Sequence, residues 1–234
     1  LLMKLIKEKY YFFQNEVKPN IFNLLSSILE DEIKRVTWKK SMKWAKYNLR
    51  WARPLKNILC IYNNKKVIFQ LDHLNSSDTT VKESSLVEKR YKVKSVQHYL
   101  DLMKEFDVMI NQEEREKKII YDSKIILKKK ELFMHEDKKL LREVCNLVEK
   151  PYPFLAKFKK DYLNLPEEIL ITTMKKNQKY FPLYNSNNRL SNYFLLVSNI
   201  KSFDQGKMII EGNQRVVNAR LEDAVFFGIE IQKI

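Results

Sequence analysis

Residues 208–227 read MIIEGNQRVVNARLEDAVFF, and this stretch predicts three consecutive local structures. The β-branched pair at 209–210 followed by Gly212 predicts the end of a strand and a turn, and Asn213 is placed to cap the helix that follows. From residue 214 the apolar positions recur at helical spacing, which predicts a helix with one buried face. The residues expected on that face are Val217, Leu221, Ala224 and Val225.

Two arginines of this helix are expected to differ in burial. Arg220 flanks the apolar stripe, where an unpaired charge would be costly, so we predict that it is partly buried with Asp223 as its partner. Arg215 points about 140° away on an ideal helix and shares the polar face with Asn218. The sequence therefore predicts that Arg220 supports the fold and that Arg215 is free to meet solvent or a ligand.

The composition describes a basic chain that can bury a core. Its 234 residues are 44% hydrophobic and 31% charged, with a formal net charge of +15. This length fits one large domain or two small ones. The charge is typical of a protein that binds a polyanion such as RNA. Lysine-rich codon usage, which the many Asn, Ile, Tyr and Phe residues and the three Gly also indicate, is the open alternative.

Several classes of protein are not indicated. No apolar run approaches the roughly 18 residues of a membrane helix, and the first residues do not form a signal peptide. Because the chain starts with Leu1 rather than Met, we expect an internal or truncated piece of a longer protein. Cys60 and Cys145 are predicted to be buried free thiols in a reducing compartment, which predicts a cytoplasmic location.

The order of elements predicts an α+β fold of antiparallel hairpins packed with amphipathic helices. Predicted are a strand or hairpin arm at 4–13, hairpins at 57–69 and 180–198, and helices at 17–35, from 95, at 111–130, from 137 and from 166. The first of these hairpins is expected to turn at residues 63–66, and Asn111 and Asp137 are expected to begin their helices as caps. We expect residues 1–55 to form a strand and helix segment with a Trp-rich connection. Residues 56–234 are expected to form the core domain, ending in the helix described above.

Two basic segments each allow two interpretations. Trp38, Trp44 and Trp51 alternate with cations and are predicted to be core anchors, with stacking on bases as the alternative. Lys128, Lys129 and Lys130 are predicted to form a solvated helix end, with phosphate contact as the alternative. His73, His98 and His135 show no metal-ligand spacing, and the chain has neither a CxxC nor a glycine-rich phosphate loop. No catalytic residue or metal ligand is therefore predicted.

The stretch from Gly212 resembles the GNERVVRARLxDAxFF signature of the bacterial glycyl-tRNA synthetase β subunit family. Further similar segments occur upstream in the family's order: SMKW at 41–44, LRWARP at 49–54, LREVCNLVEKP at 141–151, MKKNQKYF at 174–181 and VSNI at 197–200. Together they cover roughly residue 10 to the C-terminus.

This resemblance implies a division of labour between two kinds of subunit. In the family's α2β2 assembly, the α subunit binds glycine and ATP with Mg²⁺ and makes the adenylate, and the β subunit holds tRNA-Gly. The corresponding region of the β subunit is similar to the editing-type domain of the phenylalanyl-tRNA synthetase β chain. We therefore expect a fragment without its own cofactor that binds tRNA and the α subunit. The family's HD-type and anticodon-binding domains are expected to be absent.

Four residues match the family pattern, and the resemblance leaves RNA contact or a structural role open for each: Lys179, Asn213, Arg215 and Arg220. Candidate RNA contacts are Lys179 and Arg215, together with Lys128 and Lys129 of the basic helix end, and candidate structural signature residues are Gly212, Asn213, Arg220 and Asp223. Departures from the family pattern are Ala45 for Gly, Lys150 for Trp, Gln214 for Glu, Asn218 for a basic residue, and VKESS at 81–85 for RGHRF. They leave two alternatives open: a remnant of a split or decaying gene, and a free-standing RNA-binding module.

Overall fold

The computed structural model describes residues 2–6, 9–13, 20–83 and 88–231. The chain divides into two compact units, Leu1–Leu102 and Met103–Ile234, here called unit 1 and unit 2. This boundary differs from the expected division after residue 55. Within unit 1, Asp72 links residues 56–102 to the N-terminal residues, since its carboxylate accepts hydrogen bonds from the N–H groups of Asn48 and Leu49 at 2.8 and 2.7 Å.

Unit 1 consists mainly of short strands. In chain order its elements are β1 (Leu2–Ile6), β2 (Lys9–Phe13), α1 (Ile21–Arg35), β3 (Met42–Lys43), β4 (Arg50–Trp51), β5 (Ile58–Leu59), β6 (Ile61–Tyr62), β7 (Lys65–Lys66), β8 (Gln70–Leu71), β9 (Leu74–Ser77), β10 (Thr79–Glu83) and β11 (Glu88–Lys92). Helix α2 (Val96–Glu105) follows.

The segment at 4–13, predicted as a strand or hairpin arm, belongs to a pair of strands, and the hairpin predicted at 57–69 forms with a different partner strand. Strands β1 and β2 pair antiparallel. Strands β6 and β7 pair across Asn63 and Asn64, whose φ angles of +46° and +59° are the left-handed backbone that Asn tolerates. This two-residue turn makes Lys65–Lys66 the partner strand, in place of the predicted 67–69. The segment after it instead supplies the core residues Val67, Phe69 and Leu71.

Helix α1 starts later than predicted and buries less. Asn20 caps it by accepting a hydrogen bond from the N–H of Phe22 at 2.9 Å. Its apolar residues Ile21, Leu24 and Ile28 are 42–47% exposed, and no residue of α1 is buried. The apolar side of α1 is therefore only partly covered in the part of the chain described, since Leu25 and Ile33 are half-buried.

Unit 2 is a three-stranded antiparallel sheet with helices on both faces. Its elements are α3 (Gln112–Lys128), α4 (Lys138–Cys145), β12 (Tyr152–Lys157), a 3₁₀ helix (Lys160–Asn164), α5 (Glu167–Thr172), a π-helix (Thr173–Gln178), β13 (Phe181–Tyr184), β14 (Leu190–Ser198) and α6 (Lys207–Ile231). The strand order is β12-β14-β13. The predicted 180–198 hairpin and the caps Asn111 and Asp137 are confirmed.

The alternation of side chains along β14 builds one hydrophobic cluster on each face of this sheet. Phe194 and Leu196 point to one face and pack with Val217 and Leu221 of α6. Leu195 points to the other face and packs with residues of α3 and α4. This period of two is the reason why the sheet is covered on both sides. The α+β fold class with small antiparallel sheets is confirmed.

The prediction for the start of α6 is wrong. Residues 207–231 form one continuous helix, so the expected strand end, turn and Asn213 cap do not occur. Asp204 begins the helix instead, since its carboxylate accepts hydrogen bonds from the N–H groups of Gly206 and Met208 at 3.1 and 2.9 Å. The glycine with positive φ is Gly206, at +87°, and not Gly212.

The two cysteines differ in burial. Both cysteines are free; Cys145 is buried, and Cys60 is half-buried, which raises the pKa of its thiol. Among the helices described, none is long and apolar enough to cross a membrane.

Candidate nucleic-acid interface

An open aromatic surface of unit 1 is built by residues 38–51, called the Trp–cation cluster below. Strands β3 and β4 pair with Met42 opposite Trp51 and Lys43 opposite Arg50. Trp44 sits in the connection between them and is 55% exposed. The ring of Trp38, 39% exposed, meets that of Trp51 edge-to-face at a centroid distance of 4.9 Å. The prediction that these tryptophans anchor the core is wrong for Trp38 and Trp44.

The backbone of the Trp–cation cluster is held in place by polar contacts. The segment between β3 and β4 donates two backbone hydrogen bonds to Asp72, as described above. The side chain of Arg50 also holds this segment, since its Nε donates to Ser41 Oγ at 3.2 Å. The ring of Tyr47 stacks on that of His73 with centroids 3.6 Å apart. Because these contacts position the backbone, the exposed tryptophan is presented by a defined loop.

The cations of the Trp–cation cluster are available to an anionic partner. The basic residues are Lys39, Lys40, Lys43, Lys46 and Arg50, and all are exposed. Within the ranges that the structure describes, none of them lies within 4.0 Å of a carboxylate. Open aromatic faces between uncompensated cations are the combination that binds single-stranded nucleic acid, by stacking and by neutralising phosphates.

The lysines expected to contact RNA in unit 2 fall into two groups. Lys128 and Lys129 lie at the exposed C-terminal end of α3, and neither has a carboxylate partner in the described part of the chain. Lys179 is only partly exposed and forms an ion pair with Glu143 at 2.7 Å. It also has a φ of +61° and ends the π-helix. The structure therefore gives Lys179 a place in holding the fold together.

A second ion pair ties the same π-helix to α4. Lys175 lies 2.9 Å from Asp137, which also accepts a hydrogen bond from the N–H of Leu140 as the cap of α4. The bond from Leu140, together with the Lys175 ammonium, lowers the pKa of the Asp137 carboxyl. Lys175 and Lys179 thus each form an ion pair with a carboxylate at α4.

Helix α6 uses its polar residues against unit 2 itself. Gln214 Oε1 and Asn218 Oδ1 accept hydrogen bonds from the N–H groups of Lys157 and Lys159, each at 3.0 Å. These N–H groups lie at and just beyond the end of β12, an edge strand whose outer side has no strand partner in the described sheet. Asn213 Oδ1 accepts from the hydroxyl of Tyr180, whose pKa is raised by burial. The helix therefore closes the edge of the sheet.

The comparison with known proteins agrees with the sequence signature. The family model described as "Glycyl-tRNA synthetase beta subunit" matches residues 2–232. The chain belongs to this family.

Curated members of the family show the extent of the match. The chain is 35% identical over 226 residues to the glycine–tRNA ligase beta subunit of Rickettsia peacockii (strain Rustic), covering 96% of this chain and 34% of that protein. It is 36% identical over 230 residues to the glycine–tRNA ligase beta subunit of Buchnera aphidicola subsp. Acyrthosiphon pisum (strain Tuc7), and this match covers 97% of this chain and 33% of that protein. The chain thus spans about a third of the length of the curated relatives it matches.

The structure explains several departures from the glycyl-tRNA synthetase β-subunit pattern. Lys150, in place of the family's Trp, forms an ion pair with Asp107. Gln214 and Asn218 carry the two edge-strand hydrogen bonds described above. Ala45, in place of a Gly, has a φ of +50°, which is the backbone that glycine favours. Of the residues in place of RGHRF, 81–83 lie in β10, and 84–85 fall outside the described residues.

The structural signature residues are not equally important for packing. Arg220 and Asp223 are both exposed, and no ion pair joins them in the described part of the chain, so the predicted burial of Arg220 is wrong. Arg215 is exposed as predicted, and its Nε lies 3.4 Å from the carbonyl of Glu211. A Cβ at Gly212 would meet no atom within 4 Å. Sequence reasoning missed Gly206, for which the Asp204-Gln205-Gly206 turn was the available signal.

Proposed function

We propose that this chain helps a glycine–tRNA ligase to hold tRNA-Gly, and that the Trp–cation cluster is the surface that contacts the RNA. The observation that carries the proposal is the exposure of Trp44 among five exposed cations without carboxylate partners in the described ranges. In a chain that belongs to the β-subunit family, this surface has the chemistry of an RNA contact. Lys128 and Lys129 provide a second, separate set of phosphate contacts, and Arg215 is a further exposed cation.

In this proposal the chemistry of glycine activation lies elsewhere. The α subunit of an α2β2 assembly binds glycine, ATP and Mg²⁺ and forms the adenylate in the cytoplasm, and this chain supplies no cofactor. In the described part of the chain, no group of three or more His, Cys, Asp or Glu side chains could hold a metal ion. We also propose that unit 2 is related in fold to the editing-type domain of the phenylalanyl-tRNA synthetase β chain. Superposition on that domain tests this relation.

RNA binding is tested by measuring the affinity for tRNA-Gly of the parent chain and of its Trp44→Ala variant. Because stacking on one aromatic side chain is worth about 1–3 kcal/mol per base, the variant should bind roughly 5- to 150-fold more weakly. Affinity should also fall by orders of magnitude between about 50 and 200 mM salt. Phe203→Ala is the matched control, since this phenylalanine is fully exposed in unit 2. Equal losses in both variants, or a flat salt dependence, would contradict the proposal.

Assembly with the α subunit is a separate test that also separates the alternatives. The chain alone should show no ATP–pyrophosphate exchange with glycine, and it should co-purify with the α subunit and tRNA-Gly. RNA binding without preference for tRNA-Gly and without the α subunit indicates a free-standing RNA-binding module. A folded chain that binds neither partner is a remnant that has lost its role.

A further inference from the structure

A cavity of about 660 Å³, called the Trp38 cavity below, lies in unit 1. Its volume falls within the range of roughly 300–1,000 Å³ that is typical of small-molecule sites. The apolar part of its lining consists of Ile33, Val36, Leu49 and Leu71, and the polar and aromatic part consists of Lys34, Thr37, Trp38, Ser41, Asn48, Arg50 and Asp72. Because residues 38–50 of this lining belong to the Trp–cation cluster, the cavity is part of the surface proposed to contact RNA.

Two groups of the lining that suit a base are open to solvent. Trp38 is 39% exposed, so a flat ring that enters the cavity can reach its indole. The side chain of Asp72 is 30% exposed, so a ligand can also reach its carboxylate. The cavity therefore offers a stacking surface and a charged hydrogen-bond acceptor that are both accessible.

The Asp72 carboxylate is held in one orientation by the backbone. Its Oδ2 accepts the hydrogen bonds from the N–H groups of Asn48 and Leu49 described above. Its Oδ1 accepts no hydrogen bond from the described residues, and none of the described lysines and arginines forms an ion pair with it. Because one oxygen is fixed, the other is a free acceptor at a defined position.

A negative charge within a basic surface selects the part of a nucleotide that enters the cavity. The carboxylate repels phosphate, so the phosphates of a bound strand meet the exposed cations of the Trp–cation cluster instead. A base can enter, because its ring stacks on an indole and an exocyclic amino group donates to a carboxylate.

The same carboxylate discriminates between bases. Adenine, cytosine and guanine each carry an exocyclic amino group, and uracil carries none. The N3–H of uracil is flanked by two carbonyl oxygens, which a carboxylate repels. An acceptor that carries negative charge therefore favours an amino-bearing base over uracil.

We infer that the Trp38 cavity binds one unpaired base of an RNA strand and that Asp72 selects a base with an exocyclic amino group over uracil. The inference rests on the proposed function, because the Trp–cation cluster supplies the phosphate contacts of the same strand. The base stacks on Trp38, and its amino group donates to Asp72 Oδ1.

The first arm of the experiment measures the affinity of the full chain for oligocytidylate and oligouridylate of equal length at one salt concentration. Cytosine and uracil have the same ring size, and at C4 one carries an amino group and the other a carbonyl oxygen. Oligocytidylate should bind about tenfold more tightly, because a hydrogen bond to a charged acceptor is gained. An RNA with 2-pyrimidinone in place of cytosine lacks only the amino group and should bind as weakly as oligouridylate.

The second arm repeats the comparison with Asp72→Asn. The amide oxygen can keep both backbone hydrogen bonds, while the amide nitrogen replaces Oδ1 and donates to O4 of uracil. The preference should therefore reverse, with oligouridylate binding at least as tightly as oligocytidylate. A residue that only supports the loop would leave the ratio of the two affinities unchanged.

Asp78→Asn is the matched control. Asp78 lies in unit 1 outside the cavity lining, and its side chain is 29% exposed, close to the value for Asp72. The change removes the same charge from the same unit, so it should leave the ratio of the two affinities as in the parent chain. Thermal melts confirm that both variants fold, and if Asp72→Asn does not fold, the 2-pyrimidinone RNA decides.

Three results would overturn the inference. Oligocytidylate and oligouridylate bind equally to the parent chain, or neither binds. The 2-pyrimidinone RNA binds as tightly as the cytosine RNA. A folded Asp72→Asn variant keeps the preference of the parent chain.

The failure of this inference and that of the proposed function give different results. If tRNA-Gly binding depends on Trp44 while the parent chain does not distinguish cytosine from uracil, only the base selection by the Trp38 cavity is wrong. If the preference for cytosine depends on Asp72 while tRNA-Gly binding ignores Trp44, the cavity is a site for single-stranded RNA and the proposed role of Trp44 in holding tRNA-Gly is wrong.

Discussion

Helix α6 and the Trp–cation cluster differ in the opposite way from what their residue types indicate: the polar residues of the helix support the fold, and the tryptophans of the cluster are exposed. The helix carries the family signature and is rich in polar residues, yet Asn213, Gln214 and Asn218 all bond to other groups of unit 2. The cluster carries three tryptophans, the residues that usually anchor a core, yet Trp38 and Trp44 remain exposed among cations. The polar residues of the signature in α6 therefore support the fold. The exposed aromatic and cationic side chains lie in the Trp–cation cluster, whose sequence pattern is weaker.

The property that separates the two regions is whether a polar or charged group already has a partner within the chain. A buried donor or acceptor that loses its partner destabilises the fold, so such residues affect stability when changed. An exposed cation without a partner contributes little to stability, so changing it affects binding alone. The following predictions use this difference, starting with the largest expected effect.

The largest loss of stability is expected for Gly206→Ala. A Cβ at this position would overlap the ring of Phe154, and the φ of +87° is unfavourable for any residue with a Cβ. We expect the free energy of unfolding to fall by about 2–4 kcal/mol, because strain and steric overlap add. Denaturant melts measure this.

Gly212→Ala is the matched control for that change. It adds the same methyl group inside α6, where nothing lies within 4 Å, and it should stabilise the chain by about 0.5–1 kcal/mol because helical Gly is unfavourable. Similar losses for both glycines would mean that α6 does not begin at the Asp204–Gly206 turn.

The next effect is expected for Asn218→Ala. The change removes the acceptor of the Lys159 N–H at the sheet edge and should cost about 1–2 kcal/mol of unfolding free energy. Asn218→Asp keeps an acceptor oxygen at that position and should recover most of the loss. The affinity for tRNA-Gly should not change in either variant. A loss of affinity at full stability would place α6 in the RNA contact and remove the contrast between the two regions.

The parts of the fold that follow local rules could be predicted from the sequence. The helix caps at Asn111 and Asp137 depend on residues within a few positions of one another, and both are confirmed. The turn predicted at 63–66 is confirmed at Asn63 and Asn64, while its last two residues belong to β7. The start of α6 was missed because Ile209 and Ile210 suit a strand in isolation, while in the fold they pack against the hydrophobic cluster of α6 and β14. Long-range packing decided between two locally acceptable structures.

The roles of the candidate residues depend on contacts between distant segments, which local sequence patterns do not reveal. Lys179 and Lys128 look alike as lysines, but Glu143 lies 2.7 Å from one, and the other has no carboxylate partner in the described part. Sequence could name the candidates, and only the packing could separate them.

A smaller gain in stability is expected for Ala45→Gly. Ala45 has a φ of +50° in the loop that carries Trp44, and left-handed backbone costs a residue with a Cβ roughly 1–2 kcal/mol. Because glycine also gains entropy in the unfolded chain, the net stabilisation should be about 1 kcal/mol or less. A thermal melt measures it, and the affinity for tRNA-Gly shows whether the loop conformation matters. Loss of stability in this variant would show that the loop adopts another backbone.

The smallest effects are expected for Arg220→Ala and Arg215→Ala. Both side chains are exposed, and Arg220 has no ion pair with Asp223 in the described part of the chain. Each variant should therefore change the free energy of unfolding by no more than about 0.5 kcal/mol, as most surface substitutions do. Denaturant midpoints measured side by side decide the point. A loss confined to Arg220→Ala would restore the burial that the sequence indicates.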